Sequence, residues 1–185
     1  MQVIRHTDAD FPRRLQALAR KSSLFDPEIE FRTRKIIETV QARGDEALLE
    51  FTRHFDGATL SADQLSITQA ELMAASIKAD EPLRAAVAEA EKNISGFARR
   101  SRRRSWENRN SHGARVGEKF DPFQRIGVYV PGGMAPLVST SLMTVTLAKV
   151  AGCPEIVVCT PCGQDGGVNA ALLFAARAAG ATEIY

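Results

Sequence analysis

The chain has few cysteines, no long apolar run and no surplus of charge, and each shortage removes a class of protein. Its three cysteines all fall between residues 153 and 162. A disulfide-stapled exported domain would spread an even set along its length, so a reducing cytoplasm is the expected compartment. The longest apolar stretches, such as 156–159, are far short of the roughly 20 residues that a membrane span needs. The opening Met1-Gln2-Val3-Ile4-Arg5-His6 lacks the apolar core of a signal peptide. With 24 Lys and Arg against 22 Asp and Glu, the net charge of +2 does not make nucleic acid or an acidic membrane the principal partner. Histidine is also scarce: His6, His54 and His112 lie far apart, none with a Cys, His or carboxylate at metal-ligand spacing. No Ser/His/Asp order or Cys/His pairing marks a nucleophile, so the residues present give no catalytic and no metal assignment.

What remains is a chain of 185 residues, 44% apolar and 25% charged, long enough for a full core. The first hundred residues carry helix signals. Asp26-Pro27-Glu28 offers an N-cap, a proline at the first helical position and an acid in the first turn, and Gly44 stops that helix. Asp45 can cap the next helix, which runs to the Asp56-Gly57 stop. Thr68-Gln69-Ala70-Glu71 has capping-box spacing. From Asp80, the residues Leu83, Val87, Ala90, Ile94 and Phe97 recur at steps of four, three, four and three, a narrow apolar stripe that needs a partner within the chain or on a second subunit. The run Arg99-Arg100-Ser101-Arg102-Arg103-Arg104 reads either as a phosphate patch or as the solvated, cation-favouring end of that helix. Trp106 stands alone beside it, so no aromatic series for base stacking accompanies the run. Residues 111–120 suggest a strand or hairpin arm.

From Arg125 the texture changes. Two short β-rich runs, 126–130 and 156–159, flank a helix-length segment, 137–150. That spacing is a βαβ unit, which requires a parallel sheet, and the second run does not alternate, as in a strand buried on both faces. Residues 148–156 and 176–184 match in type at an offset of 28, each a helix ending in Ala-Gly before a strand. The second copy reaches Tyr185 one or two residues into its strand, so the expected fold is α/β, helical over 1–108 and a βαβ sheet over 109–185, incomplete at its carboxyl end. A longer polypeptide is expected.

The candidate site is the loop Pro131-Gly132-Gly133-Met134-Ala135-Pro136, at the carboxyl end of a parallel strand, where paired glycines let a ligand approach the backbone beside a helix start. Gly-Gly is not the Gly-x-Gly-x-x-Gly fingerprint, and a merely tight connection fits the spacing equally. Tyr129 could stack on a ring or offer its hydroxyl there, or be an ordinary half-buried strand tyrosine. Cys159-Thr160-Pro161-Cys162 has redox-pair spacing, but Gly163, Gly166 and Gly167 delay the helix such a motif needs, so two reduced thiols near a loop are the simpler account.

The segment Arg125-Ile-Gly-Val-Tyr-Val-Pro-Gly-Gly-Met-Ala-Pro-Leu resembles histidinol dehydrogenase. So do Leu142-Met143-Thr144, residues 148–152 and 155–161, and Arg43-Gly44-Asp45-Glu46-Ala47-Leu48-Leu49 followed by Phe55-Asp56-Gly57. The likeness covers nearly the whole chain. It implies a zinc-dependent, NAD-linked cytoplasmic enzyme that oxidises L-histidinol through an aldehyde stage to L-histidine in two hydride transfers. It also implies an intertwined homodimer of Rossmann-like, aldehyde-dehydrogenase-like architecture, with no nucleic acid or membrane partner. Tyr129 matches the tyrosine of the family's Tyr-Val-Pro-Gly-Gly motif that contacts NAD, and the loop 131–133 would shape the cofactor cleft. The family's zinc ligands, acid/base pair and other NAD contacts lie downstream of these residues, so the 185-residue chain alone is expected not to turn over. A non-catalytic dimerisation or nucleotide-binding module of the same fold, and a related dehydrogenase acting on another alcohol, are the alternatives.

Overall fold

A computed structural model describes residues 4–19, 26–132 and 137–185. The chain packs as two units, Met1–Leu48 and Leu49–Tyr185. In the first, α1 (Phe11–Ala19) precedes α2 (Pro27–Arg43). The cap expected at Asp26 forms, its carboxylate accepting from the Glu28 N–H at 3.0 Å. At the other end the Gly44 N–H donates to the Val40 carbonyl at 2.7 Å. α2 buries no residue and leaves Ile29, Phe31 and Ile37 exposed. The next helix, α3 (Asp45–Phe55), includes Asp45 instead of being capped by it. The Gly44 carbonyl already accepts from the Ala47 and Leu48 N–H groups, so the acid sits inside the first turn, where the helix dipole favours it.

The second unit holds α4 (Gln69–Lys78) and α5 (Glu81–Ser101). The capping box before α4 closes as expected: Thr68 Oγ1 accepts from the Glu71 N–H at 3.2 Å, and Glu71 accepts from the Thr68 N–H at 2.7 Å. Along α5, Val87 is buried and Leu83, Ala90 and Ile94 are half-buried against the core, but Phe97 is 72% exposed and Ala98 is buried in its place. Steps of four and three average 3.5 residues, and a straight helix drifts about 20° per heptad from that repeat. Two heptads from Leu83 to Phe97 carry the stripe's end off the packed face.

The arm expected over 111–120 is a hairpin of β1 (Trp106–Arg109) and β2 (Arg115–Glu118), paired antiparallel and exposed on both faces. Strands β3 (Arg125–Tyr129), β4 (Glu155–Cys159) and β5 (Glu183–Ile184) then form a parallel sheet in that order, joined by α6 (Val138–Ala151) and α7 (Ala170–Ala179). Ile126, Val128, Val130, Ile156, Val158 and Ile184 point to one face and pack in one core with Leu142, Val145, Leu172 and Leu173 of α6 and α7. Outside those helices lie α4 and α5, α5 against α6 and α4 against α7. On the opposite face, Gly127, Tyr129 and Cys159 are exposed and only Val157 is buried, so β4 has apolar residues throughout without both of its faces being covered along their length.

The 28-residue echo is a repeated helix stop. Gly152 (φ +98°) and Gly180 (φ +115°) both adopt the left-handed conformation. Each donates its N–H to two carbonyls of the last turn, and the following residue's N–H reaches back to Ala148 or Ala176 respectively. β5 is short but not bare: the Ile67 N–H, just before α4, donates to the Ile184 carbonyl at 2.9 Å. Among the described residues, no helix is long and apolar enough to cross a membrane.

Candidate functional site

The parallel ladder extends one residue past β3 and β4. The Val130 N–H donates to Cys159 and the Thr160 N–H to Tyr185, both at 2.9 Å, which sets the loops after β3 and β4 side by side at the sheet's carboxyl edge. Open parallel sheets bind ligands at this edge. The first loop approaches the second closely at Gly132: a Cβ there would lie 2.8 Å from Pro161 Cγ and 3.1 Å from the Pro161 carbonyl oxygen, so no side chain fits without displacing the second loop. The second loop folds on itself, with the Gly163 N–H donating to Gly167, the Gly166 N–H to Gly163 (both 2.8 Å), and Asp165 accepting from the Gly167 N–H at 3.0 Å.

Between the loops and the start of α7 is a cavity of about 310 Å³, walled in part by Gly132, Thr160, Pro161, Cys162 and Asn169. The buried Thr160 hydroxyl has no hydrogen-bond partner among the described residues. The two helix starts at this edge differ. Asn169 caps α7, its side-chain oxygen accepting from the Ala171 and Leu172 N–H groups at 2.9 and 3.3 Å. α6 has no side-chain cap at Leu137 and no acid in its first turn. Gly133, Met134, Ala135 and Pro136 before it carry no side-chain oxygen. Among the described residues, then, α6 starts without the side-chain cap that α7 has.

Tyr129, the residue singled out in the sequence, ends β3 with its side chain 66% exposed. It shares a register position with Cys159 on the open face of the sheet and is not one of the cavity walls. Of the loop 131–136, Pro131 and Gly132 are described and 133–136 lie outside the described residues. Cys162 has the wrong electrostatics for a reactive thiol: burial, then the charges of Asp56 and Asp165, push it above its ordinary range. Among the described residues, no three His, Cys, Asp or Glu side chains come together to hold a metal ion. Thr160 and Asn169 were not singled out from the sequence. Asn169 had a readable signal, an asparagine directly before the apolar run 170–176, whereas Thr160 gains its position only from the loop pairing.

At the sheet's amino edge a charge cluster joins all three strands. Arg125 bonds Glu155 at 2.7 Å and Glu183 through two nitrogens at 2.8 and 2.7 Å, and the Tyr185 hydroxyl donates to Glu183 at 2.9 Å. Arg125 first, and Tyr185 second, hold the Glu183 carboxyl below its ordinary value; Glu183 in turn raises the Tyr185 phenol.

Residues 19–185 match the family model described as histidinol dehydrogenase. A histidinol dehydrogenase of Symbiobacterium thermophilum is 46% identical over 171 residues, 92% of this chain and 39% of that protein. That of Syntrophotalea carbinolica is 36% identical over the whole chain and 43% of its own length. The crystal structure of histidinol dehydrogenase from Elizabethkingia anophelis superposes with a TM-score of 0.79 at 31% identity, covering 85% of this chain and 36% of that one. The chain thus spans about two fifths of the length of these relatives.

Proposed function

The chain belongs to the histidinol dehydrogenase family, and from that membership we propose that it supplies the coenzyme-binding part of an NAD-linked, zinc-dependent oxidation of L-histidinol to L-histidine in histidine biosynthesis. The observation that carries the reading is the carboxyl-edge crevice, beside one helix start that a side chain caps and one that none does among the described residues. NAD, when bound, accepts the hydride. The chain's own residues hold it: the exposed Tyr129 ring offers a flat apolar surface and a hydroxyl. Gly132 lets the first loop pack against Pro161, which shapes the crevice. The amino end of α6, which has no side-chain cap at Leu137, carries the partial positive charge that suits a pyrophosphate, whereas that of α7 is capped by Asn169.

Oxidising an alcohol through a metal requires a Lewis acid for the alkoxide and a base for its proton. The described residues do not bring together a donor set for zinc. The 185 residues are therefore expected to bind coenzyme without turning over histidinol, the remaining machinery lying in sequence that the relatives carry beyond the matched part. The exposed Ile29, Phe31 and Ile37 of α2 support a homo-oligomer, and three free cysteines support a cytoplasmic setting.

The test is calorimetric titration of the chain with NAD, alongside a histidinol-dependent NADH assay. Saturable binding, weakened about tenfold by Tyr129→Ala through the loss of a stacking contact, and no turnover are expected. Absence of NAD binding, or robust turnover by this chain alone, would overturn the reading.

A further inference from the structure

The crevice leaves the arginine run 99–104 unused. Three of its members, Arg99, Arg102 and Arg104, line a cavity of about 490 Å³ together with Lys149, over Glu91 and Ser95. The cavity lies where α5 and α6 both end. Since α6 runs back from the crevice over 14 residues at about 1.5 Å each, the two sites are about 20 Å apart, at opposite edges of the sheet.

Two of the four cations are already engaged. Arg102 Nη1 donates to the Val150 carbonyl at 3.3 Å, satisfying an acceptor of the last turn of α6. Lys149 Nζ lies 4.0 Å from Glu91, whose carboxylate also accepts from the buried Ser95 hydroxyl at 2.8 Å. The Lys149 stem is set against Gly180, where a Cβ would lie 2.8 Å from Lys149 Cδ. Arg99 and Arg104 have no hydrogen-bond or ion-pair partner among the described residues, yet both face this hollow. Helix carboxyl ends attract cations, but each carries only about half a unit of charge. That of α6 is already served by Arg102 and by the Gly152 and Cys153 N–H groups. Two guanidinium charges are left without compensation around one concave surface.

We propose that this cavity binds a small dianion of the phosphate class, such as a phosphate monoester or pyrophosphate, gripped by the planar forks of Arg99 and Arg104 with Lys149 behind. Guanidinium geometry matches phosphate oxygens in pairs. No aromatic side chain lines the cavity, and a net charge of +2 provides no broad field for a polynucleotide. The site is independent of the coenzyme reading.

Calorimetric titrations with inorganic pyrophosphate and with orthophosphate, at fixed ionic strength, test it. A saturable site is expected that is at least about tenfold weaker in the Arg99→Gln/Arg104→Gln variant, because two charge-assisted contacts are lost. Arg53→Gln/Arg100→Gln removes equal charge outside the cavity, and Tyr129→Ala alters the opposite edge. Both should leave the affinity within about twofold, because neither removes a side chain that lines the cavity. All four arginines are exposed, and an unchanged unfolding midpoint verifies that each variant is folded. Equal loss in both double variants, or no saturable pyrophosphate binding, would overturn the proposal. So would a single-stranded oligonucleotide that displaces pyrophosphate with an affinity rising with its length, which would make the surface a nucleic-acid track instead.

Discussion

Replacing the two helix-ending glycines with alanine should weaken the fold by different amounts. At Gly152 a Cβ would meet Pro122 at 3.7 Å, ordinary contact, so Gly152→Ala costs only the left-handed backbone, about 1–2 kcal/mol. At Gly180 the same backbone cost applies, and the Cβ would also come within 2.8 Å of Lys149 Cδ. A flexible stem can move aside, at about 0.5–1.5 kcal/mol if it leaves its rotamer well. Gly180→Ala should therefore be the more damaging of the pair. For a chain of 185 residues, about 2–4 °C of Tm per kcal/mol converts the shared backbone cost into a drop of about 2–8 °C. Gly127→Ala is the control. Its site has no positive φ and no atom within 4 Å, so a neutral effect or a gain of up to about 1 kcal/mol is expected. Urea unfolding followed by far-UV circular dichroism reads all three. If Gly152→Ala and Gly180→Ala unfold with the wild type, or Gly127→Ala falls with them, the left-handed stop does not hold these units together.

Leu172→Ala should cost about 2–5 kcal/mol of unfolding free energy in urea, because the side chain is 1% exposed in the core beneath the sheet. Thr68→Ala removes the acceptor of the Glu71 N–H and should cost about 1 kcal/mol in the same assay, with α4 fraying first in hydrogen exchange. Folding lowers the Glu183 carboxyl from its model-compound 4.5. Its contribution is thus present above that value and is lost as pH falls through the lowered folded value, so on acidification below about pH 4.5 the wild-type midpoint should fall further than that of Glu183→Gln. Parallel pH curves for the two proteins would show that the Arg125 cluster adds nothing.

Signals confined to one turn of chain were legible in the sequence. Asp26-Pro27, the Thr68–Glu71 box and the Ala-Gly stops at 152 and 180 each specify their geometry within about five residues. Phe97 was misread because a 3.5-residue stripe on a straight helix rotates away from its partner. The crossovers could be ordered from spacing, but apolar residues throughout 156–159 do not reveal that only one sheet face lies beneath helices. The carboxyl-edge loop was readable as a place for a ligand. The Gly132–Pro161 contact was not, because it joins residues brought together only by strand register. Arg99 and Arg104 were visible as charge, but what they face depends on the last turn of α6, whose Lys149 is 45 residues beyond Arg104 (149 − 104).

The hydrogen bond from Ile67 to Ile184 spans 117 residues (184 − 67). A loop that long closes late, since its entropy must be lost before the bond returns anything. During synthesis the segment ahead of α4 therefore waits for β5 to leave the ribosome, and α4 and α5 emerge long before the strand that anchors their lead-in. A nascent chain arrested short of residue 184 would hold those helices without that latch.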